Sequence, residues 1–215
     1  MEACRDFAAI VLAAGRSSRM GAFKPLLPFG EGTVIERVLS MCAEAEVGAI
    51  RVVVGWNAER LIPLLEGRGV PWVRNAKFAE GMYSSLQLGV KGLPDDVEAF
   101  FVLPGDMPLV RAETFRRLAA VWGPGQARVL YPCFAGRRGH PPLIAASLIP
   151  AILGEAPAGG LRELLACHAT EAHDVDCDDP GMLVDIDTPK DYEKAVQNRQ
   201  ANTDNRQVGT DSSDR

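Results

Sequence analysis

The stretch Phe7-Ala8-Ala9-Ile10-Val11-Leu12-Ala13-Ala14-Gly15-Arg16-Ser17-Ser18-Arg19-Met20-Gly21-Ala22-Phe23-Lys24 starts as an apolar run and empties into a turn of small residues. An apolar run of this length that ends in a glycine-containing turn reads as a short strand buried on both faces. The turn carries Gly15, Gly21, Ser17, Ser18, Arg16, Arg19 and Lys24. Glycine has no Cβ, so backbone N–H groups can converge there on an anion. Arginine adds a planar fork of donors for phosphate, and lysine adds a mobile point charge. The segment is suited to holding a polyphosphate.

Two familiar phosphate loops do not fit it. The P-loop needs Gly-x-x-x-x-Gly-Lys-Ser/Thr, but here five residues separate Gly15 from Gly21 and the lysine comes three places later. The dinucleotide fingerprint Gly-x-Gly-x-x-Gly is also absent.

Beyond this loop the chain alternates between strand and helix patterns. Thr33 and Glu36 form a capping-box pair ahead of Val34, Ile35, Val38, Leu39 and Cys42, an apolar face at helical spacing. Residues 50–54, 70–73, 99–103, 129–134 and 172–175 read as strands, the last at a sheet edge. Residues 59–65 (limited by Pro63), 82–91, 148–153 and 161–167 read as helices, as does the face of Phe115, Leu118, Ala119 and Trp122. Thr188-Pro189-Lys190-Asp191 opens a final helix, with threonine as N-cap, proline at the first position and an acid in the first turn. The alternation predicts an α/β three-layer sandwich with a mostly parallel central sheet. Ligands of such sheets lie beyond the carboxyl ends of strands, where the winding switches direction. With no internal repeat or linker, residues 1–196 are expected to form a single domain, and the polar stretch 197–215 a disordered tail.

The chain of 215 residues is 47% hydrophobic and 24% charged, which allows one sizeable core. Its five cysteines (4, 42, 133, 167, 177) form no Cys-x-x-Cys pair, which points away from a disulfide framework or zinc site and suits a reducing cytoplasm. No apolar run reaches membrane-spanning length and no secretory leader is legible, so a cytoplasmic protein with no membrane partner is expected. A net charge of −5 argues against general nucleic-acid binding. Any anion site must be local.

Two acidic segments complete the pattern. In Phe100-Phe101-Val102-Leu103-Pro104-Gly105-Asp106-Met107-Pro108 an acid directly follows a buried strand, at the ligand-binding edge of the sheet. Magnesium favours one or two carboxylates completed by phosphate oxygens and water, which makes Asp106 a candidate ligand. Taken alone, the segment reads equally as an Asp in a Pro/Gly turn. Further on, Asp185 and Asp187 stand two residues apart, on one side of an extended segment. Asp187 abuts the helix start, where the dipole favours an ionised carboxylate.

The pattern Leu12-Ala13-Ala14-Gly15-x-Ser17-x-Arg19-Met20-Gly21-x-x-Lys24 resembles the signature loop of the MobA-like nucleotidyltransferase family. Pro104-Gly105-Asp106-Met107-Pro108 resembles its metal-binding turn, and Asp185-Ile186-Asp187-Thr188-Pro189-Lys190-Asp191 its C-terminal motif. The matches run from Ile10 to Tyr192. The resemblance implies a Rossmann-like nucleotidyltransferase fold and Mg2+-dependent transfer of a nucleoside monophosphate from an NTP to a phosphate acceptor, releasing pyrophosphate. Within the family a Leu-Ala-Ala-Gly loop accompanies CTP and a Leu-Ala-Gly-Gly loop GTP, so Ala14 favours CTP with molybdopterin as acceptor.

The resemblance also implies residue roles. Leu12, Ala13, Ala14, Gly15, Ser17, Arg19, Gly21, Lys24, Ser84 and Ser85 would bind the nucleotide, with Arg19 and Lys24 catalytic. For Ser84 and Ser85, helix N-capping is an equal alternative. Asp106 and Asp187 would hold the metal, with Asp185 as the open alternative to Asp187. Gly136-Arg137-Arg138-Gly139-His140-Pro141 is similar to the acceptor-side turn, with Arg138 and His140 as candidate contacts. Gly159-Gly160-Leu161-Arg162 lacks an aspartate that the family carries there, and no role is transferred to it. Expected partners are the NTP, a molybdopterin-type acceptor, and a molybdoenzyme or its maturation factor. The alternatives are a guanylyltransferase of the same family, another phosphate-acceptor cytidylyltransferase, and a non-catalytic molybdenum-cofactor maturation factor. The last would have no need of Lys24 or Asp106.

Overall fold

In chain order the elements are β1 (Phe7–Ala13), β2 (Pro28–Phe29), β3 (Gly32–Thr33), α1 (Val34–Glu44), β4 (Ala49–Val54), α2 (Ala58–Gly67), β5 (Trp72–Arg74), α3 (Met82–Val90) and β6 (Ala99–Pro104). They continue with α4 (Ala112–Val121), β7 (Val129–Phe134), β8 (Arg137–Arg138), β9 (Leu143–Ala145), α5 (Ile149–Leu153), α6 (Gly160–Ala166), β10 (Ala172–Asp176) and α7 (Pro189–Thr210). This computed structural model describes residues 4–123 and 125–210, with side chains described up to residue 200.

β1 is apolar throughout because it is central. It pairs in parallel with β4 on one side and β6 on the other, and both faces are covered. Successive residues point to opposite faces. Phe7, Ala9, Val11 and Ala13 pack with Ile35 and Val38 of α1, Leu61 of α2, and Phe115 and Leu118 of α4. Ala8 and Ile10 pack on the other face with Leu86 and Val90 of α3, Ile152 of α5 and Leu165 of α6. The result is the expected three-layer α/β sandwich.

The strand order is β10-β7-β9-β6-β1-β4-β5, with β8 pairing off β7. β6, β1, β4 and β5 run parallel, as do β7 and β10. β9 joins the two blocks, antiparallel to both β6 and β7. The sheet is therefore mixed, though mostly parallel. From β1 the chain winds outward through β4 and β5, then crosses back to β6 on the other side of β1. The switch point lies between the carboxyl ends of β1 and β6, where an open sheet places its ligand. There the Gly105 N–H donates to the Leu12 carbonyl at 2.9 Å. A Cβ on Gly105 would lie 3.1 Å from the Ala13 Cβ, tighter than an ordinary contact, so glycine eases the close approach of the two loops.

A smaller cluster of Met20, Phe29, Val34, Ile186 and Ala195 seats the start of α7 beside the β2–β3 hairpin. The tail expected from residue 197 needs correction. α7 runs on to Thr210, so 197–210 is helical backbone; 211–215 lie outside the described residues. Polar composition hid this because the helix is anchored from its first turns. Tyr192 donates to the Pro28 carbonyl, and Arg199 lies over the Phe29 ring and donates to its carbonyl at 3.3 Å.

Candidate active site

The turn after β1 is shaped by backbone conformations that small residues tolerate. Gly21 has φ 69°, and Ser17 takes φ 52°, a left-handed conformation uncommon for a residue with a Cβ. The Ser17 hydroxyl accepts the Lys24 backbone N–H at 3.3 Å, and its carbonyl accepts the Met20 N–H at 3.0 Å. Phe23 is buried against Trp56, ring centroids 5.7 Å apart, which anchors the backbone just ahead of Lys24. The turn thus closes on itself and aims Lys24 inward.

Lys24 is 11% exposed at its side chain and reaches two carboxylates. Its Nζ lies 3.0 Å from Asp106 Oδ2 and 2.7 Å from Asp187 Oδ1. Burial alone would push the ammonium pKa down, but hydrogen bonds and charge from Asp187 and Asp106 outweigh it and the pKa is raised. Arg19, 70% exposed, pairs with the other oxygen of Asp187 at 2.7 Å.

The two acids are brought together by the backbone. Ile186 donates its N–H to the Asp106 carbonyl at 3.0 Å, and its side chain is fully buried. Turning Ile186 inward leaves Asp185 and Asp187 both on the cleft side, as period-two alternation requires. Asp187 takes both cations, whereas Asp185 makes no hydrogen bond or ion pair among the described residues. Thr188 and Asp191 form a reciprocal cap behind them: the Asp191 carboxylate accepts Thr188 N–H at 2.9 Å and Oγ1–H at 2.6 Å.

A cleft of about 630 Å³ opens over this constellation. It is lined by Leu12, Ala13, Ala14, Gly15, Ser17, Arg19 and Lys24 from the first loop, with Ser85, Asp106, Arg138, His140, Asp185 and Asp187. Two of the sequence candidates lie elsewhere. Gly21 borders an adjacent recess with Arg16, Ser18, Ala22 and Trp56. Ser84 is absent from the lining and donates to the Gly81 carbonyl at 2.8 Å, closing the entry to α3. Both serines accept from the side-chain amide of Asn75 at 2.9 Å. Asn75 is 1% exposed, so it fixes the start of α3 from beneath.

In the turn expected to face an acceptor, the structure separates the two arginines. Arg138 is held by Asp174 at 2.6 Å and lies over the Tyr131 ring at 4.2 Å. Arg137 lines the same cleft, and its side chain makes no hydrogen bond or ion pair among the described residues. His140 donates its backbone N–H to the Met182 carbonyl, and its buried Nδ1 has no hydrogen-bond partner among the described residues. Burial pushes its imidazole pKa down, against the pull of a hydrogen bond with the Val102 backbone and the nearby Asp106 and Asp185.

The segment from Asn75 to Leu86 resembles the family stretch beside the nucleotide base and ribose, and Leu183 opens the C-terminal motif, but Phe78, Gly81, Met82 and Leu183, which line the cleft, had no role of their own in the sequence reading. Gly81 carried a legible signal. Its φ 104° and ψ 177° belong to a region essentially reserved for glycine. The others are apolar and have no local signature.

Among the described residues, no three His, Cys, Asp or Glu side chains gather as a ready cage for a metal. The pair formed by Asp106 and Asp187 nevertheless suits magnesium, which takes few protein carboxylates and keeps water and phosphate oxygens as its other ligands. The Lys24 ammonium marks a point within reach of both carboxylates. No described helix is long and apolar enough to cross a membrane.

Comparison with known proteins shows the family to which the chain is similar. A family model described as the MobA-like NTP transferase domain matches residues 9–175. The chain is 27% identical over 188 residues to the molybdenum cofactor cytidylyltransferase of Escherichia coli K12, covering 85% of this chain and 92% of that one. It is similar to a nucleotidyl transferase structure from Methanothermobacter thermautotrophicus, with TM-score 0.77, 28% identity, and 89% and 96% of the two chains covered. It is also similar to Rv0371c of Mycobacterium tuberculosis, with TM-score 0.76, 26% identity, and 90% and 99% covered. The Mycobacterium protein has also been solved as a complex with manganese, a likeness of 22% identity and TM-score 0.74 over 89% and 98% of the chains.

Proposed function

The chain belongs to the MobA-like NTP transferase family, and from that membership we propose that it is a Mg2+-dependent enzyme that transfers CMP from CTP to the phosphate of molybdopterin, releasing pyrophosphate. The observation that carries the reading is the meeting of Lys24, Asp106 and Asp187 at the carboxyl ends of β1 and β6, beside the glycine-containing turn. The likeness to the Escherichia coli cytidylyltransferase supports the choice of CTP and acceptor. Ala14 supports it too. It is buried against Gly55, where an added Cβ would lie 2.8 Å from the Ala14 Cβ, so this wall of the cleft is built around a methyl group.

In this reading an acceptor phosphate oxygen attacks the α-phosphorus as the bond to pyrophosphate breaks, and the electron pair leaves with pyrophosphate. The acceptor is already ionised, so no strong general base is needed. His140, with its pKa lowered by burial, is read as part of the acceptor wall. Backbone N–H groups around Gly15 and the Arg19 guanidinium hold the leaving pyrophosphate. Lys24 stabilises charge that grows on the α-phosphoryl oxygens. Asp106 and Asp187 would hold the divalent cation, which when bound neutralises phosphate charge and orients the chain of phosphates. We place the activity in the cytoplasm, on the strength of five free cysteines, with a molybdoenzyme or its maturation factor taking the product.

The test is a panel of the four NTPs against molybdopterin and other phosphate acceptors, scored by pyrophosphate release. CTP with molybdopterin is expected to give the highest kcat/KM. Equal or better turnover with GTP would remove the cytidylyltransferase assignment and leave the family untouched.

A further inference from the structure

The carboxylates proposed to hold a divalent cation already share a cation of the chain's own. Lys24 Nζ stands 3.0 Å from Asp106 and 2.7 Å from Asp187, with its side chain 11% exposed. Arg19 takes the remaining oxygen of Asp187 at 2.7 Å. A second cation cannot engage both carboxylates until Nζ gives up its place. Moving the ammonium away with no new counter-charge is unfavourable, because it leaves a half-buried charge without its partners. A triphosphate removes that obstacle, since its oxygens accept from both Lys24 and Arg19 with charge-assisted hydrogen bonds.

The carboxylate pair does not depend on the lysine for its geometry. Ile186 N–H donates to the Asp106 carbonyl at 3.0 Å, and the Thr188–Asp191 cap fixes the next turn. Displacing Lys24 therefore leaves two acids still facing one point.

We infer that Lys24 is an internal counter-ion that couples the two ligands: Asp106 and Asp187 take up a divalent cation together with the nucleotide, and weakly before it. The inference rests on the proposed function, since it takes these two acids as the cation's ligands. Because it concerns cation binding, it is tested without the acceptor.

Mn2+ binding to the full chain is measured by electron paramagnetic resonance of the free ion, on wild type, Lys24→Met and Lys24→Gln, without nucleotide. Both variants are expected to bind Mn2+ about tenfold or more tightly than wild type, the factor expected from one competing charge contact. Adding Asp187→Asn to either should cancel the gain. On wild type, Mn2+ should tighten CTP binding, read by equilibrium dialysis, and by linkage the same factor applies in reverse. In the lysine variants that coupling should shrink. Wild type that binds Mn2+ as tightly as both variants overturns the inference and leaves the metal-site reading intact. Absence of Mn2+ binding in all proteins, with CTP present as well, overturns the metal-site reading and the inference with it. Since two substitutions are compared, one that fails to fold leaves the other to decide.

Discussion

Ile186 donates its backbone N–H to the carbonyl of Asp106 at 3.0 Å, and through this bond two acids far apart in sequence meet at the mouth of one cleft. The segment that carries Ile186 is itself pinned upstream. Asp179, 2% exposed, accepts the Arg111 N–H at 2.8 Å and the Thr114 hydroxyl at 2.6 Å, both at the start of α4. Its other oxygen accepts the Gly181 N–H at 3.0 Å. The loop after β6 and the segment before α7 are thereby tied at two points, with the cleft acids at one end of the tie.

Asp179→Ala should destabilise the protein by roughly 2–4 kcal/mol, because it strands three donors at once, two of them buried. Urea unfolding checks this. Near-wild-type stability would show that water or rearrangement satisfies those donors.

Lys24→Ala should lower kcat on the order of 10²–10³, with a much smaller rise in nucleotide KM, if the ammonium acts mainly on charge that develops in the transition state. Steady-state kinetics decides. An unchanged kcat with a raised KM would make Lys24 a docking charge alone.

The two arginines of β8 should part company in kinetics. Arg138 already serves Asp174 and Tyr131, while Arg137 is unengaged among the described residues. Arg137→Ala should raise KM for the phosphate acceptor on the order of tenfold, the worth of one charge-assisted contact. Arg138→Ala should leave that KM closer to wild type. The reverse ranking would mean that the Asp174 pair opens when the acceptor arrives.

Much of this was legible where the cause is local. The cap of α1 was readable because Thr33 and Glu36 lie three residues apart, and they do bond reciprocally. β1 was readable because a central strand must be apolar on both faces. β9 was not: three residues behind two prolines carry no periodicity, and only pairing with β6 and β7 makes them a strand. Which of Arg137 and Arg138 is already paired was equally out of reach. Which arginine is engaged depends on strand register, with Cys133 opposite Arg138 and Tyr131 opposite Asp174. α7 was cut short because a solvated helix and a polar tail look alike in composition.

Glu36 gives a pH-dependent expectation. Its carboxyl is held below the usual glutamate range, first by the Thr33 hydroxyl and, against the cost of burial, by Arg68 and the Thr33 backbone. A carboxylate whose pKa is lower folded than unfolded adds stability above its unfolded pKa and loses it as pH falls through the folded value. Glu36→Gln should therefore be less stable than wild type at about pH 7, with the gap closing toward about pH 3. Urea midpoints for both proteins across that range provide the measurement. A gap that stays constant with pH would assign the effect to the shape of the cap.

The acids themselves can be ranked. Asp106→Asn and Asp187→Asn each remove a charged oxygen while nearly preserving volume, and the Ile186–Asp106 backbone bond is untouched, so both variants should fold. Each should abolish turnover at ordinary magnesium. Asp185→Asn should be milder. Asp185 faces the cleft but makes no ion pair among the described residues, whereas Asp187 engages both Lys24 and Arg19 and sits directly before the Thr188–Asp191 cap that fixes its direction. A neighbour that only supports ligands weakens a metal site where a ligand removes it. Turnover across a magnesium titration, with circular dichroism to confirm folding, separates the three. A dead Asp185→Asn with an active Asp187→Asn would shift the ligand by one pleat of the extended segment. Normal activity in both would move the second ligand out of this motif and leave Asp187 as a counter-charge for Lys24 and Arg19.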